Sequence, residues 1–465
     1  MNSAHTATQQ QILTALHQAV GNDHVHTDDA TLDEHSHDHS TAATQARALA
    51  VVSPASTDEV SAVLRIASTF VVPVVPQGRR TGVVGAADAV PGAILLDLTR
   101  LDRIISIDTA DQLATVQPGV ITQHLADAAR EHGLFYPVDP GSVHISSIGG
   151  NIATNAGGMR CVKYGVTGDS VRSLTAVLAD GTIIHTGHDS IKGVAGLDLT
   201  SLIVGSEGTL AVVTEATLAL RPAPGDAAGA AAWFPTLADA LSAAAEIGSG
   251  PRRPSALELL DRPSIQAINT LGTLEALPDD AAAMLIVESD ELDRAAADVD
   301  AYAEVFRAHH ALRIDLARSA TEVDQLLEIR RNLHPGLMRA YPAVLTEDIA
   351  VPRGRLLELL TIIEAAAAES GAPVATGGHV GDGNLHPIIG YDPADADSLA
   401  RAAQAFDIIL ERTVELGGTI TGEHGVGHMK RNALARELSP AVRALQVRVK
   451  AAFDPQGILN PGRKI

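Results

Sequence analysis

Short apolar runs and amphipathic stretches alternate along most of this chain, and the alternation begins at Ala46. Ala48–Val52 reads as a strand closed by Pro54. Thr57–Ser68 follows as an amphipathic helix, with Thr57 at its N-cap and Asp58 and Glu59 in its first turn. Val71–Val75, Ala93–Asp97, Ile104–Asp108 and Ala114–Gln117 read as further strands, and Thr122–Glu131 as a helix stopped by Gly133. Val171–Ala179, Gly181–Thr186 and the long extended run Thr209–Leu220 complete this mixed α/β region. The Ala/Gly-rich stretch Ala223–Ala232 reads as a linker. Beyond it, helices at Leu237–Ile247 and Leu292–His309 alternate with strands such as Ala283–Glu288.

These patterns predict a polar lead-in over 1–45, one α/β domain over 46–222, a second over 223–419, and a closing segment over 420–465. The lead-in carries one short helix near Gln9–Val20 and five histidines (His24, His26, His35, His37, His39). It has no apolar framing to fix a metal geometry, so a solvated, partly disordered tail is the expectation.

Composition narrows the function. A formal charge of −22 with no basic stripe argues against nucleic acid and anionic membrane surfaces as partners. Cys161 is the only cysteine, which rules out an internal disulfide and any Cys-built zinc or iron–sulfur site. The first residues lack the apolar core of a signal peptide, and no apolar run approaches the roughly 20 residues of a membrane span. A cytoplasmic protein is expected, with membrane association only through a partner.

Three glycine-rich segments fall within 46–222: Pro76-Gln77-Gly78-Arg79-Arg80-Thr81-Gly82, Asp139-Pro140-Gly141-Ser142, and Gly149-Gly150-Asn151 through Thr154-Asn155-Ala156-Gly157-Gly158. Glycines let successive backbone N–H groups converge on one anion, and Thr81, Ser142, Ser146, Asn151, Thr154 and Asn155 add donors. Neither a G-x-G-x-x-G turn between strand and helix nor a P-loop is present, which argues against nicotinamide dehydrogenases and P-loop NTPases.

Together with Tyr164-Gly165-Val166-Thr167-Gly168-Asp169 and Val204-Gly205-Ser206-Glu207-Gly208-Thr209-Leu210, these segments resemble the FAD domain of the vanillyl-alcohol-oxidase/PCMH flavoprotein superfamily. Their order resembles its D-lactate dehydrogenase and glycolate-oxidase large-subunit branch. The resemblance implies an α+β fold: a PCMH-type FAD-binding domain of two α+β subdomains, then a C-terminal substrate (cap) domain of the FAD-linked oxidases. It implies non-covalent FAD, with the pyrophosphate loop on Gln77–Gly85 and flavin-contacting turns at Asp139–Ser142 and Gly149–Gly157. Gly165, Glu207, Gly208, Val212 and Asn460 join the cofactor shell. Family members often carry Gly where this chain has Arg79 and Arg80, so each Arg either pairs with phosphate or stays solvated.

The second domain holds Gly378-His379-Val380-Gly381-Asp382-Gly383-Asn384-Leu385-His386, and the closing segment holds Gly422-Glu423-His424-Gly425-Val426-Gly427-His428. Two imidazoles and a carboxylate suit Zn²⁺ first, with Mn²⁺ or Fe²⁺ as alternatives. By resemblance, His379, His386 and Glu423 are metal ligands, His424 is the catalytic base, Asn384 touches substrate or flavin, and Arg330 anchors the substrate carboxylate, with Arg331 as the neighbouring alternative.

The implied reaction is oxidation of a small D-2-hydroxy acid, of D-lactate or glycolate type, to the 2-oxo acid. The metal binds the substrate's carboxylate and α-hydroxyl oxygens, His424 takes the hydroxyl proton, and hydride passes to flavin N5. Relatives acting on D-2-hydroxyglutarate carry a Lys near the segment aligned with Thr346-Glu347-Asp348; this chain has acids there, which favours a monocarboxylate. A zinc hydrolase built on the same ligands would leave the glycine-rich half without a role. The electron acceptor is open among a quinone, a cytochrome, an electron-transfer flavoprotein, a partner subunit and oxygen, and the assembly is open too, a homodimer being one candidate.

Overall fold

The computed structural model describes residues 2–40, 46–272, 276–278 and 280–465. Met1 and residues 41–45 of the expected lead-in lie outside the described residues. The chain forms two compact units: Met1–Gly157 with Val166–Ala223 and Glu423–Ile465, and Gly158–Gly165 with Pro224–Gly422.

The first unit contains two main sheets. In one, strands Ala50–Val52, Ile94–Asp97 and Val74–Gln77 run parallel, and Val25–His26 pairs antiparallel at the edge. Buried on both faces, these strands read as unbroken apolar runs rather than alternating ones. The helix Thr57–Phe70 packs Val60, Val63, Leu64 and Ala67 into this core. Its N-cap is Ser56, one residue before the expected Thr57. Ser56 is still extended, and its Oγ accepts the Glu59 N–H at 3.1 Å. The other sheet has five antiparallel strands in the order Ile104–Asp108, Leu113–Val116, Val212–Ala219, Val171–Val177, Ile183–Gly187.

The lead-in corrects the expectation of a solvated tail. Asn2–Val20 is a 19-residue helix, and it buries Ile12, Leu16 and Val20 in the same core as Val60 and Ile94. Those positions are four apart, so they share one helix face. Among so many polar neighbours the stripe is narrow, which is why composition hid it. Asp29–Glu34 is a second short helix, capped by Asp28.

The second unit is built on one antiparallel sheet of eight strands. Here the expected linker is overturned: Ala228–Phe234 is a strand buried along its whole length, between Ala283–Ser289 and Arg313–Ala317. Its small side chains let the helices Ala295–Ala308 and Ala320–Arg331 pack on it, so low complexity here marks close packing and not mobility. Gly158–Gly165 joins this unit through charge. Arg160 forks onto both oxygens of the buried Glu288 at 3.1 and 3.0 Å, and Lys163 and Tyr164 both bond Asp290.

Candidate active site

The strand Val74–Gln77 delivers the first glycine-rich loop to a cleft of about 310 Å³ inside the first unit. Residues 76–82, Pro140, Gly141, Ser142, Gly149, Gly150, Asn151, Thr154, Ala156, Gly157, Glu207, Gly208, Val212 and Asn460 line it. Four expected residues do not line it. Ser146 is buried against the Thr122 hydroxyl, and Asn155 caps a helix in the left-handed conformation while its Oδ1 accepts the Gly168 N–H. Asp139 stays off the wall, and Gly165 belongs to the other unit.

The absence of a Cβ matters at Gly78: one there would sit 2.6 Å from Ser147 Oγ. Ser147 caps the helix Ile148–Thr154, whose Gly149 and Gly150 face the cleft. Gln77 fastens the loop from behind, donating to the carbonyls of His35 and Ala87 at 2.9 and 2.7 Å. The two arginines divide. Arg80, at φ 55°, turns to His35 Nδ1 at 3.0 Å and towards Glu34, whereas Arg79 is exposed and lines the cleft. Asp38, from the lead-in, lines it too; burial and the neighbouring Asp88 carboxylate raise its pKa. Burial is the largest single influence on Asp88 and acts to raise it, but the hydrogen bond from His428 at 2.9 Å, the Asp38 backbone N–H and the nearby His428 and Arg463 charges together hold Asp88 below its ordinary value.

Asn460 gives a direct test of cofactor fit. Its Nδ2 donates to the carbonyls of Glu207 and Ala86, while its buried Oδ1 has no hydrogen-bond partner among the described residues. An orphaned acceptor on the wall of a glycine-lined cleft suits a ligand with an N–H edge and a phosphate chain, which FAD has. Cys161 is half-buried in the second unit and is not part of the cleft wall.

Glu207 works differently from a simple cofactor contact. Its carboxylate is buried and accepts the backbone N–H groups of Val426 and Gly427 at 2.7 and 2.8 Å, with Lys464 Nζ at 3.5 Å. This clamp fixes the loop that carries Glu423 and His424, both of which line the cleft. Sequence reasoning missed Asp38, Ser147 and Ser206 as cleft residues. For Ser147 there was a signal, a Ser directly before Ile-Gly-Gly at a helix start; for Asp38 there was none.

In the second unit, strand pairing assembles a buried polar face. Val374–His379 and Asn384–Tyr391 form a tight hairpin in which His379 faces Asn384 and Gly377 faces His386. His379 and His386 are therefore diagonal neighbours on one face, their rings 5.1 Å apart and nearly perpendicular. On the next strand Leu259 pairs with Gly378, which places Glu258 beside His379. Glu258 Oε1 lies 2.7 Å from His379 Nδ1, and Arg330 Nε, from the helix Ala320–Arg331, donates to Oε2 at 3.1 Å. Arg331 instead pairs with Asp324 and Glu328 on its own helix, which leaves Arg330 as the inward arginine. Glu347 and Asp348 are fully buried; Asp348 accepts from Asn384 Nδ2 and Thr421 Oγ1, both at 2.8 Å. With its second N–H on the Ile349 carbonyl, Asn384 keeps only Oδ1 for a ligand.

The glycine-lined cleft of the first unit and the buried His/Glu/Arg face of the second are both what a flavin-dependent oxidoreductase requires. The chain belongs to the FAD-linked oxidases: residues 48–187 match the FAD binding domain and residues 223–464 match the FAD linked oxidases, C-terminal domain. It is 41% identical over 415 residues to the glycolate oxidase subunit GlcD of Bacillus subtilis, covering 89% of this chain and 88% of that one. It is 32% identical over 440 residues to D-lactate dehydrogenase of Anaerostipes hadrus, covering 93% and 92%. In fold it is similar to p-cresol methylhydroxylase, with a TM-score of 0.80 at 19% identity over 98% of this chain and 96% of that one. Among the described residues, no helix is long and apolar enough to cross a membrane.

Proposed function

We propose that this enzyme oxidises a small D-2-hydroxy monocarboxylate, D-lactate or glycolate, to the 2-oxo acid. The observation that carries this is Arg330: Glu258 holds it by Nε alone, which leaves both terminal Nη groups for a substrate carboxylate near the His379/His386 face. The names of the relatives above point to the same substrate class. The buried acids Glu347 and Asp348 disfavour a second carboxylate, and so D-2-hydroxyglutarate.

In this scheme His424, on the clamped loop that lines the cleft, accepts the α-hydroxyl proton. His379 and His386, with Glu423 from the returning chain, are the ligand set for a divalent cation, Zn²⁺ first; such a cation supplies Lewis acidity at the α-hydroxyl. FAD supplies the two-electron acceptor. Arg330 binds and orients the carboxylate so that the Cα–H faces one way only, which makes the reaction stereospecific.

The test is an anaerobic visible spectrum of the purified protein before and after D-lactate, glycolate or L-lactate. Bleaching by D-lactate or glycolate and not by L-lactate is expected. Flavin that none of these reduces, with D-2-hydroxyglutarate active, would overturn the substrate assignment and leave the family intact.

A further inference from the structure

Glu258 is a carboxylate that bonds both His379 and Arg330. It is fully buried, and its two oxygens have separate partners: Oε1 meets His379 Nδ1 at 2.7 Å, and Oε2 receives Arg330 Nε at 3.1 Å. We propose that Glu258 is a positioning residue that sets the His379 tautomer and the Arg330 pose together, so that metal affinity and substrate affinity depend on one buried side chain. This rests on the assignment of His379 as a ligand and Arg330 as the carboxylate anchor.

The geometry decides which atoms are left to work. A carboxylate can only accept, so His379 must present Nδ1–H to Glu258. Nε2 is then the unprotonated nitrogen of the neutral ring, and so the atom by which His379 would ligate a cation. A carboxylate behind the distal ring nitrogen fixes ring orientation and raises ligand basicity. On the other side Arg330 has spent Nε, so a substrate carboxylate can bind it only end-on, through Nη1 and Nη2. Side-on binding through Nε and Nη2 is closed to it.

Strand register explains why one residue serves both. Glu258 pairs across to His379 on the neighbouring strand, while the helix Ala320–Arg331 delivers Arg330 over the same residue. Leu260, two positions along the strand and so on the same face as Glu258, packs in one core with Val323 and Leu327 of that helix. The backbone frame of all three groups is thus fixed independently of Glu258, and a change at Glu258 should move side chains and not the sheet.

The experiment uses the full-length flavoprotein with Glu258→Leu, Glu258→Gln and His386→Asn. Zn²⁺ affinity is read by competition with a chromogenic chelator, and D-lactate KM and kcat by steady-state turnover with an artificial dye as the electron acceptor. Glu258→Leu should lower Zn²⁺ affinity by about 10–100-fold and raise KM by about tenfold or more, with the flavin spectrum unchanged. Glu258→Gln should separate the two: its amide oxygen still accepts from His379, so Zn²⁺ affinity stays within about threefold, while its NH₂ group opposes Arg330 Nε and KM still rises.

Wild-type Zn²⁺ affinity and KM in Glu258→Leu would overturn the proposal, as would equal losses in both Glu258 variants accompanied by a lost flavin spectrum, which is a purely structural role. If His386→Asn binds Zn²⁺ as tightly as wild type, the ligand assignment fails. If His386→Asn is weakened and Glu258→Leu is not, only the role of Glu258 fails.

Discussion

Glu207→Ala removes the clamp on the His424 loop. Two charge-assisted bonds of 2.7 and 2.8 Å hold Val426 and Gly427 in a buried setting. Hydrogen bonds to a charged group contribute about 1.5–3 kcal/mol each, so the clamped loop conformation should lose on the order of 3–6 kcal/mol against alternatives. Alanine would also inherit the left-handed backbone that Glu207 adopts at φ 54°. Glu207→Gly escapes that strain, about 1–2 kcal/mol, and should be the milder variant. Stopped-flow reduction by D-lactate under anaerobic conditions is the assay, with FAD titration beside it. Loss of the clamp at about 3 kcal/mol corresponds to reduction slowed by about 10²-fold. FAD affinity should fall much less, because the glycine-rich loops at 76–82, 140–142 and 149–157 are untouched. Wild-type reduction rates in Glu207→Ala would refute the idea that this carboxylate holds His424 in place.

Leu16→Ala should destabilise the first unit by about 2–5 kcal/mol, because the side chain is fully buried; an unchanged thermal midpoint would restore the solvated-tail picture. Gly427→Ala should abolish flavin reduction: at φ 53° its Cβ would lie 2.0 Å from the Val84 carbonyl, and an active variant would show that the loop has another conformation. Burial pushes the Asp261 carboxyl up to about 6 from 3.8 in the unfolded chain. The folded form then binds the proton more tightly, so its cost is present above pH 6 and is relieved as pH falls through that value. Between pH 7 and pH 4 wild type should gain stability relative to Asp261→Asn by on the order of 2–3 kcal/mol, and a flat difference in midpoints would contradict this.

Much of the flavin unit was legible in the sequence because its signals are local. Glycines at turns, short apolar strands and a capped helix each announce themselves within a few residues, and the walls of the cleft follow from them. What stayed hidden depends on distant partners. Nothing around Glu258 marks it as the residue behind His379, since the pairing is made by strand register across more than a hundred residues. Glu207 stood out as part of a Gly-rich motif, but its partners lie over two hundred residues away. For Arg80 the sequence left phosphate pairing and solvation open, and the contacts it makes to His35 and Glu34 come from a lead-in more than forty residues earlier in the chain. The Ala223–Ala232 stretch failed for another reason: alanine-rich sequence is the same whether it is loose or tightly packed.

The chain passes between its two units at Gly157, Gly165, Ala223 and Gly422. A graft of the C-terminal substrate domain from a relative, cut only at 223 and 422, would leave the eight-residue Gly158–Gly165 excursion behind. Its Arg160 and Lys163 would then face foreign strands in place of Glu288 and Asp290. Chimaeras between FAD-linked oxidases therefore need a matched cassette of two pieces, and substrate range in this family should be inherited with that small insert or not at all.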